Sequence, residues 1–185
     1  MAVKKTIAIA GATEEVFIAL ANKLVNNNYR VLLLSSDKNE LSKTLKDIKN
    51  KVKAEIELID CIKEGCWEAD IIVLAVPPYA QKEVAEKIKE VATQKIVISI
   101  SDYENQPDDE IKELQRLLPH SKVVNASNTS QSIEAFIAAD EYEAVKTISE
   151  IIRTAGFDQI PAGNISENST LEHHFNYRKK NNTEL

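Results

Sequence analysis

Positive charge and aromatic rings are in short supply in this sequence. Lys and Arg number 23 against 29 Asp and Glu, a formal net charge of -6, and Phe, Trp and Tyr make up 5% of the 185 residues. A nucleic-acid binder normally presents a basic face or a stacking platform, so nucleic acid is not an expected partner. The lysines of "KEVAEKIKE" alternate with glutamates at helical spacing, the ordinary pattern of a solvated helix face. Long apolar runs are missing too. The run after "MAVKK" stops at Gly11, too short to span a bilayer, and it lacks a signal-peptide cleavage pattern. The expectation is a cytoplasmic protein with no membrane partner. Cysteine is scarce as well: Cys61 and Cys66 have neither redox-pair nor zinc spacing, so reduced structural thiols are expected. His120, His173 and His174 show no metal-ligand spacing, and no metal is expected.

What is present is alternation. Runs rich in Ile and Val are read as strands at Lys5–Ala10, Arg30–Ser35, Glu55–Ile59, Asp70–Val76, Lys95–Ser101, Lys122–Ala126, Glu134–Ala138 and Phe157–Pro161. Helical periodicity falls between them. In the first helix Phe17, Leu20, Ala21 and Leu24 share one face, and further helices fit Glu40–Lys51, Ala80–Ala92, Asp108–Leu118 and Glu141–Ala155. Strands joined by crossover helices predict an α/β, doubly wound, mostly parallel Rossmann-like sheet with helices on both faces. Residues 1–172 are expected to form one domain, and 173–185 a polar C-terminal tail.

Ligands of such folds bind outside the carboxyl ends of the strands, so the loop after the first strand is the first place to look. A dinucleotide loop needs small residues for a tight turn, for close approach of backbone to pyrophosphate and for close contact between helix and strand. Gly11, Ala12, Thr13, Glu14, Glu15 and Val16 occupy that loop.

"GATEEVF" (Gly11–Phe17), together with "ADIIVLAVPP", "LLPHSKVVNASNT" and "GFDQIPAGNISENSTLE", resembles the NADP oxidoreductase family that includes coenzyme F420-dependent NADP reductases. The likeness runs over most of residues 5–172. Members carry G-G-T-G-x-[VL]-G after the first strand, with the fingerprint glycines at the second, fourth and seventh places. Ala12, Glu14 and Phe17 stand there in this chain, which is thus divergent in the glycine-rich loop. Glu14 would face the phosphate: at about 5 Å and an effective dielectric of about 20 the repulsion is roughly 3 kcal/mol, an upper figure because the side chain can turn to water. The same letters also make an ordinary helix start, with Thr13 as N-cap and Glu14 and Glu15 in the first turn. A weakened pocket and a self-capped scaffold both remain open.

The resemblance places other candidates around the cofactor. Where the family has "GSR" for the 2′-phosphate, this chain has Leu34, Ser35 and Ser36; Ser35, Ser36 and Lys38 still offer phosphate contacts, while Asp37 suits a free ribose hydroxyl. NADP or NAD is the expected cofactor, with a lean to NADP. Ala75, Val76 and Pro77 would line it and Tyr79 would stack, although a strand also ends naturally at proline. Ser99 and Ser101 would meet the nicotinamide ribose, and Asn128 and Thr129 the nicotinamide side, where turn formation is the plainer account. The region that encloses the second substrate in relatives is shortened here to "SQS" and "HHFNYRKKNN", which argues against F420; much of the acceptor pocket would have to come from a second subunit, as in a homodimer, or be absent. Hydride transfer needs orientation and exclusion of water rather than an acid–base triad, so catalytic residues are not assigned. The expected function is an NAD(P)-dependent oxidoreductase with an unidentified acceptor; the alternative is a non-catalytic nucleotide-sensing or protein-interaction module.

Overall fold

The computed structural model describes residues 4–11, 15–35, 56–102, 108–128, 134–137, 146–147, 149–151, 153 and 158–161. Eight strands are seen: β1 (Thr6–Ala10), β2 (Arg30–Leu34), β3 (Ile56–Ile59), β4 (Ile71–Leu74), β5 (Ile96–Asp102), β6 (Lys122–Asn128), β7 (Glu134–Ile137) and β8 (Asp158–Pro161). Among the described residues the bounded helices are α1 (Glu15–Asn26), α2 (Ile62–Glu68), α3 (Pro78–Ile88) and α4 (Asp108–Leu117). Residues 146–147, 149–151 and 153 are also helical, within the expected last helix. The expected helix at 40–51 and the polar tail lie outside the described residues.

β1 to β6 form one parallel sheet in the order β3-β2-β1-β4-β5-β6, while β7 and β8 form a separate parallel pair with β7 beside β6. The order reverses between β1 and β4, the switch point of a Rossmann sheet. Why these segments become central strands follows from their two-sided burial. On one face Ile7, Ile9, Val31, Leu33, Ile71 and Val73 pack with Leu20, Ala21 and Leu24 of α1 and with Ile151. On the other face Ala8, Ala10, Leu32, Leu34, Ile72 and Leu74 meet Cys66 of α2, Val84, Ala85 and Ile88 of α3, and Leu114 of α4. A strand covered on both sides is apolar at nearly every position, and "TIAIA" is buried throughout.

α2 was not among the expected helices. It is a short helix with Gly65 in its middle, and that glycine lets it lie flat on β2: a Cβ there would come 2.3 Å from Leu34 Cδ2. Tertiary fit outweighs the helix penalty of glycine here. β4 stops at Leu74 rather than Val76, because Pro77 turns the chain into α3. Among the described residues no helix is long and apolar enough to cross a membrane, and no His/Cys/Asp/Glu group suited to a metal is found.

Candidate functional site

The carboxyl end of β1 comes within touching distance of the turn after β4. Gly11 adopts φ +86°, a conformation L side chains rarely take, and a Cβ placed there would lie 2.3 Å from Val76 Cγ1 and 2.7 Å from the Ala75 carbonyl oxygen. Only a glycine passes. Its N–H donates to the Leu34 carbonyl at 3.1 Å, and the Ala75 N–H donates to the Ala10 carbonyl at 2.8 Å, so β2, β1 and β4 are tied together at their ends. Gly11 therefore serves the tight turn, and its own N–H is committed to the scaffold. N–H groups for a phosphate must come from farther along, where the first turn of a helix leaves its N–H groups without intrahelical acceptors.

The sequence candidates separate accordingly. Gly11, Ala75 and Val76 meet at the switch point, with Ala75 buried and Val76 half-buried. Pro77 is exposed and caps α3, and its carbonyl accepts from the Ala80 N–H at 2.8 Å. Tyr79, one step into α3, is 81% exposed, so its ring is not part of the packed wall. Glu15 and Val16 open α1, which starts one loop beyond Gly11. Ser35 follows β2 half-buried. Ser101 and Asn128 close β5 and β6 as neighbours, in register with Ser127 and Asp102 respectively. Ala12, Thr13, Glu14, Ser36, Lys38 and Thr129 lie outside the described residues.

One expectation is corrected. The Ser99 hydroxyl, expected to meet a ribose, is fully buried and donates to Gln81 Oε1 at 2.7 Å. It faces the α3 side of the sheet, the same side as Val97, because alternate residues of a strand share a face. Gln81 in turn donates from Nε2 to the carbonyls of Val76 and Ile100, each at 3.2 Å. Nothing in the family likeness marked Gln81, yet a signal was present: 81, 84, 85 and 88 share one helical face, and a glutamine interrupts its apolar row.

Charges gather at the opposite end of the sheet. Arg30 clasps Glu57 with bonds of 2.9 and 2.7 Å and reaches Glu68 at 2.9 Å. Its hydrogen bonds hold the Glu57 carboxyl below the usual range, against a smaller opposing effect of burial. Lys95 donates to the carbonyls of Cys66 and Trp67 at 2.7 and 2.6 Å, closing the end of α2, and burial lowers its pKa. Burial pushes the Cys66 thiol up to about 12, so this cysteine is a packing residue rather than a nucleophile.

Residues 6–103 match the family described as NADP oxidoreductase, coenzyme F420-dependent. A glycerol-3-phosphate dehydrogenase [NAD(P)+] of Thermoanaerobacter sp. (strain X514) is 30% identical over 86 residues, 43% of this chain and 26% of the relative. Among solved structures, an imine reductase from Myxococcus stipitatus in complex with NAD+ superposes with a TM-score of 0.73 at 12% identity, over 98% of this chain and 62% of that one. A Plasmodium falciparum pyrroline carboxylate reductase with NADP bound gives 0.64 at 19% identity, over 85% and 58%. The chain thus spans about a quarter of the curated relative and about three fifths of these solved neighbours. The strand order, the glycine at the switch point and the family match over β1 to β5 agree, and the chain belongs to the NADP oxidoreductase, coenzyme F420-dependent family.

Proposed function

We propose that this protein is an NAD(P)-dependent oxidoreductase that binds its dinucleotide across the carboxyl ends of β1, β2, β4 and β5 and passes hydride to or from an acceptor not yet known. The observation that carries this reading is the meeting of Gly11 with Ala75 and Val76, a backbone-to-backbone approach that leaves no room for a Cβ. Such a surface lets a flat, extended ligand lie directly on main chain. The adenosine half belongs over β1 and β2, where Ser35 borders it; the nicotinamide half belongs beside Val76, Ser101 and Asn128. Nicotinamide supplies the hydride chemistry when bound, and these residues orient it and exclude water. NADP is favoured over NAD by Ser35, Ser36 and Lys38, and F420 is disfavoured by the short segment after Asn128. A homodimer would complete the acceptor pocket.

A second reading, a nucleotide sensor without catalysis, is favoured by Glu14 before α1 and Phe17 in its first turn, where the family carries glycines. Titrating NADPH and NADH by calorimetry tests the first: micromolar to submillimolar binding supports it, and no binding at millimolar concentration overturns it. Turnover of any flavin, deazaflavin or quinone with NAD(P)H counts against the sensor. The pair Glu14→Gly with Phe17→Gly raises cofactor affinity by about tenfold, ~1.4 kcal/mol, if the loop faces the pocket.

A further inference from the structure

β4 and β5 pair as far as Leu74 and Ser99, whereas β5 and β6 continue to Asp102 and Asn128. Past Ser99, the edge of β5 that faced β4 has lost its strand partner. Gln81 fills that opening. It is 4% exposed, on the core face of α3, and its amide bridges the two sides: Nε2 to the Val76 carbonyl and to the Ile100 carbonyl, 3.2 Å each. Only the NH2 end can serve two facing carbonyls, and Ser99, donating to Oε1 at 2.7 Å, fixes the amide the same way round. Val76 leads into Pro77 and α3, and Ile100 precedes Ser101. One buried amide therefore sets the spacing between the turn after β4 and the end of β5.

We infer that Gln81, held by Ser99, is a positioning residue for the nicotinamide half of the dinucleotide, acting through the backbones of Val76 and Ile100 rather than by touching the ligand. The inference rests on the proposed function and goes a step further, because it divides the site into two halves that respond differently. The adenosine half lies over β1 and β2, where Gly11 is tied to Leu34 and Gln81 makes no bond. A change at Gln81 alters the nicotinamide side and leaves the adenosine side as it was.

The test uses the full chain and calorimetric titration with NADPH, NADH and ADP. Gln81→Glu keeps the size and shape but turns acceptor oxygens toward two carbonyls; Ser99→Ala removes the orienting hydroxyl alone and serves where the first variant fails to fold. The expected result is an affinity for the reduced dinucleotide at least about tenfold lower in Gln81→Glu and about threefold lower in Ser99→Ala, with ADP affinity within about twofold of the parent. A role in general stability alone would lower both ligands together, and equal losses, or no loss in either variant, overturn the inference. A parent chain that binds neither dinucleotide overturns the proposed function itself, which is a different outcome from parent binding followed by ligand-independent loss.

Discussion

The two ends of the six-stranded sheet are finished in different ways. At the amino end, side chains close the structure: Arg30 joins β2 to β3 and α2, the Asp70 carboxylate accepts from the Thr6 N–H at 2.8 Å, Lys95 caps α2, and Ser121 donates to the Ala92 carbonyl at 2.8 Å. At the carboxyl end the described ties run through main chain, at Gly11, Leu34, Ala10 and Ala75, with one buried amide, Gln81, behind them. Long side chains at the amino end fill space and screen strand edges. Among the described residues, Gly11 meets Val76 and the Ala75 carbonyl so closely that a Cβ would not fit between them. The difference separates stability from function within one sheet, and substitutions should reveal it.

The largest effect is expected at Gly11. In Gly11→Ala the new Cβ meets Val76 Cγ1 and the Ala75 carbonyl oxygen, and φ is +86° besides. Strain and overpacking together cost on the order of 3 kcal/mol, and the turn after β4 is pushed away from β1. Urea denaturation checks the stability and NADPH titration the site; both should suffer. Were the variant as stable as the parent, backbone contact would not define this end.

Gly65→Ala is a milder version of the same experiment. The clash is with Leu34 Cδ2, the far end of a flexible side chain, at 2.3 Å, and alanine restores helix propensity to α2. Leu34 is fully buried, however, so its displacement is not free. The expected net loss is about 1 kcal/mol, with dinucleotide affinity unchanged, and Leu34→Val in the same chain should recover most of it.

The core was legible in the sequence because the central strands β1 and β4 are buried on both sides and so read as almost wholly apolar runs, "TIAIA" and "IIVL". α1, α3 and α4 were legible from their apolar stripes. α2 was not: it is one short helix with an internal glycine, and its reason for existing is the contact between Gly65 and Leu34, which is long-range. Gly11, Ala75 and Val76, marked in the sequence by strand ends and a proline, meet at the switch point. Ser99 was misread for a related reason. It lies in the middle of β5, which runs on to Asp102, and the face it takes depends on pleat register: α3 covers that face with Gln81. A buried glutamine looks like any polar residue until its two carbonyl partners, Val76 and Ile100, are known.

The amino end supplies a smaller and opposite test. Arg30 and Glu57 are 31% and 47% exposed in their side chains, so solvent screens the pair, and Glu57→Gln should cost about 0.5 kcal/mol at pH 7. The folded Glu57 carboxyl titrates below its usual range because Arg30 bonds its charged form. A depressed folded pKa contributes stability above the unfolded value near 4.5 and loses it as pH falls through the lower folded value. Melting curves of parent and variant should therefore differ at neutral pH and converge in acid, while NADPH affinity stays the same in both. A loss of affinity in Glu57→Gln would break the separation between the two ends.

The smallest effect concerns α2, which carries Cys66 and has Cys61 as its N-cap. Cys61 is exposed at its start, whereas Cys66 is fully buried and pushed up to about 12 by that burial. The thiolate is the reacting species, and at pH 8 so high a pKa leaves roughly one Cys66 in ten thousand ionised even where a reagent could reach it. Titration of the native protein with a chromogenic disulfide should accordingly release one equivalent of chromophore quickly, from Cys61, and the second only on unfolding in urea. The rate of that second release then measures how often α2 lifts from Leu34. It should rise in Gly65→Ala and stay unchanged in Glu57→Gln, because the first substitution loosens the helix at its contact with the sheet and the second removes only a screened surface charge.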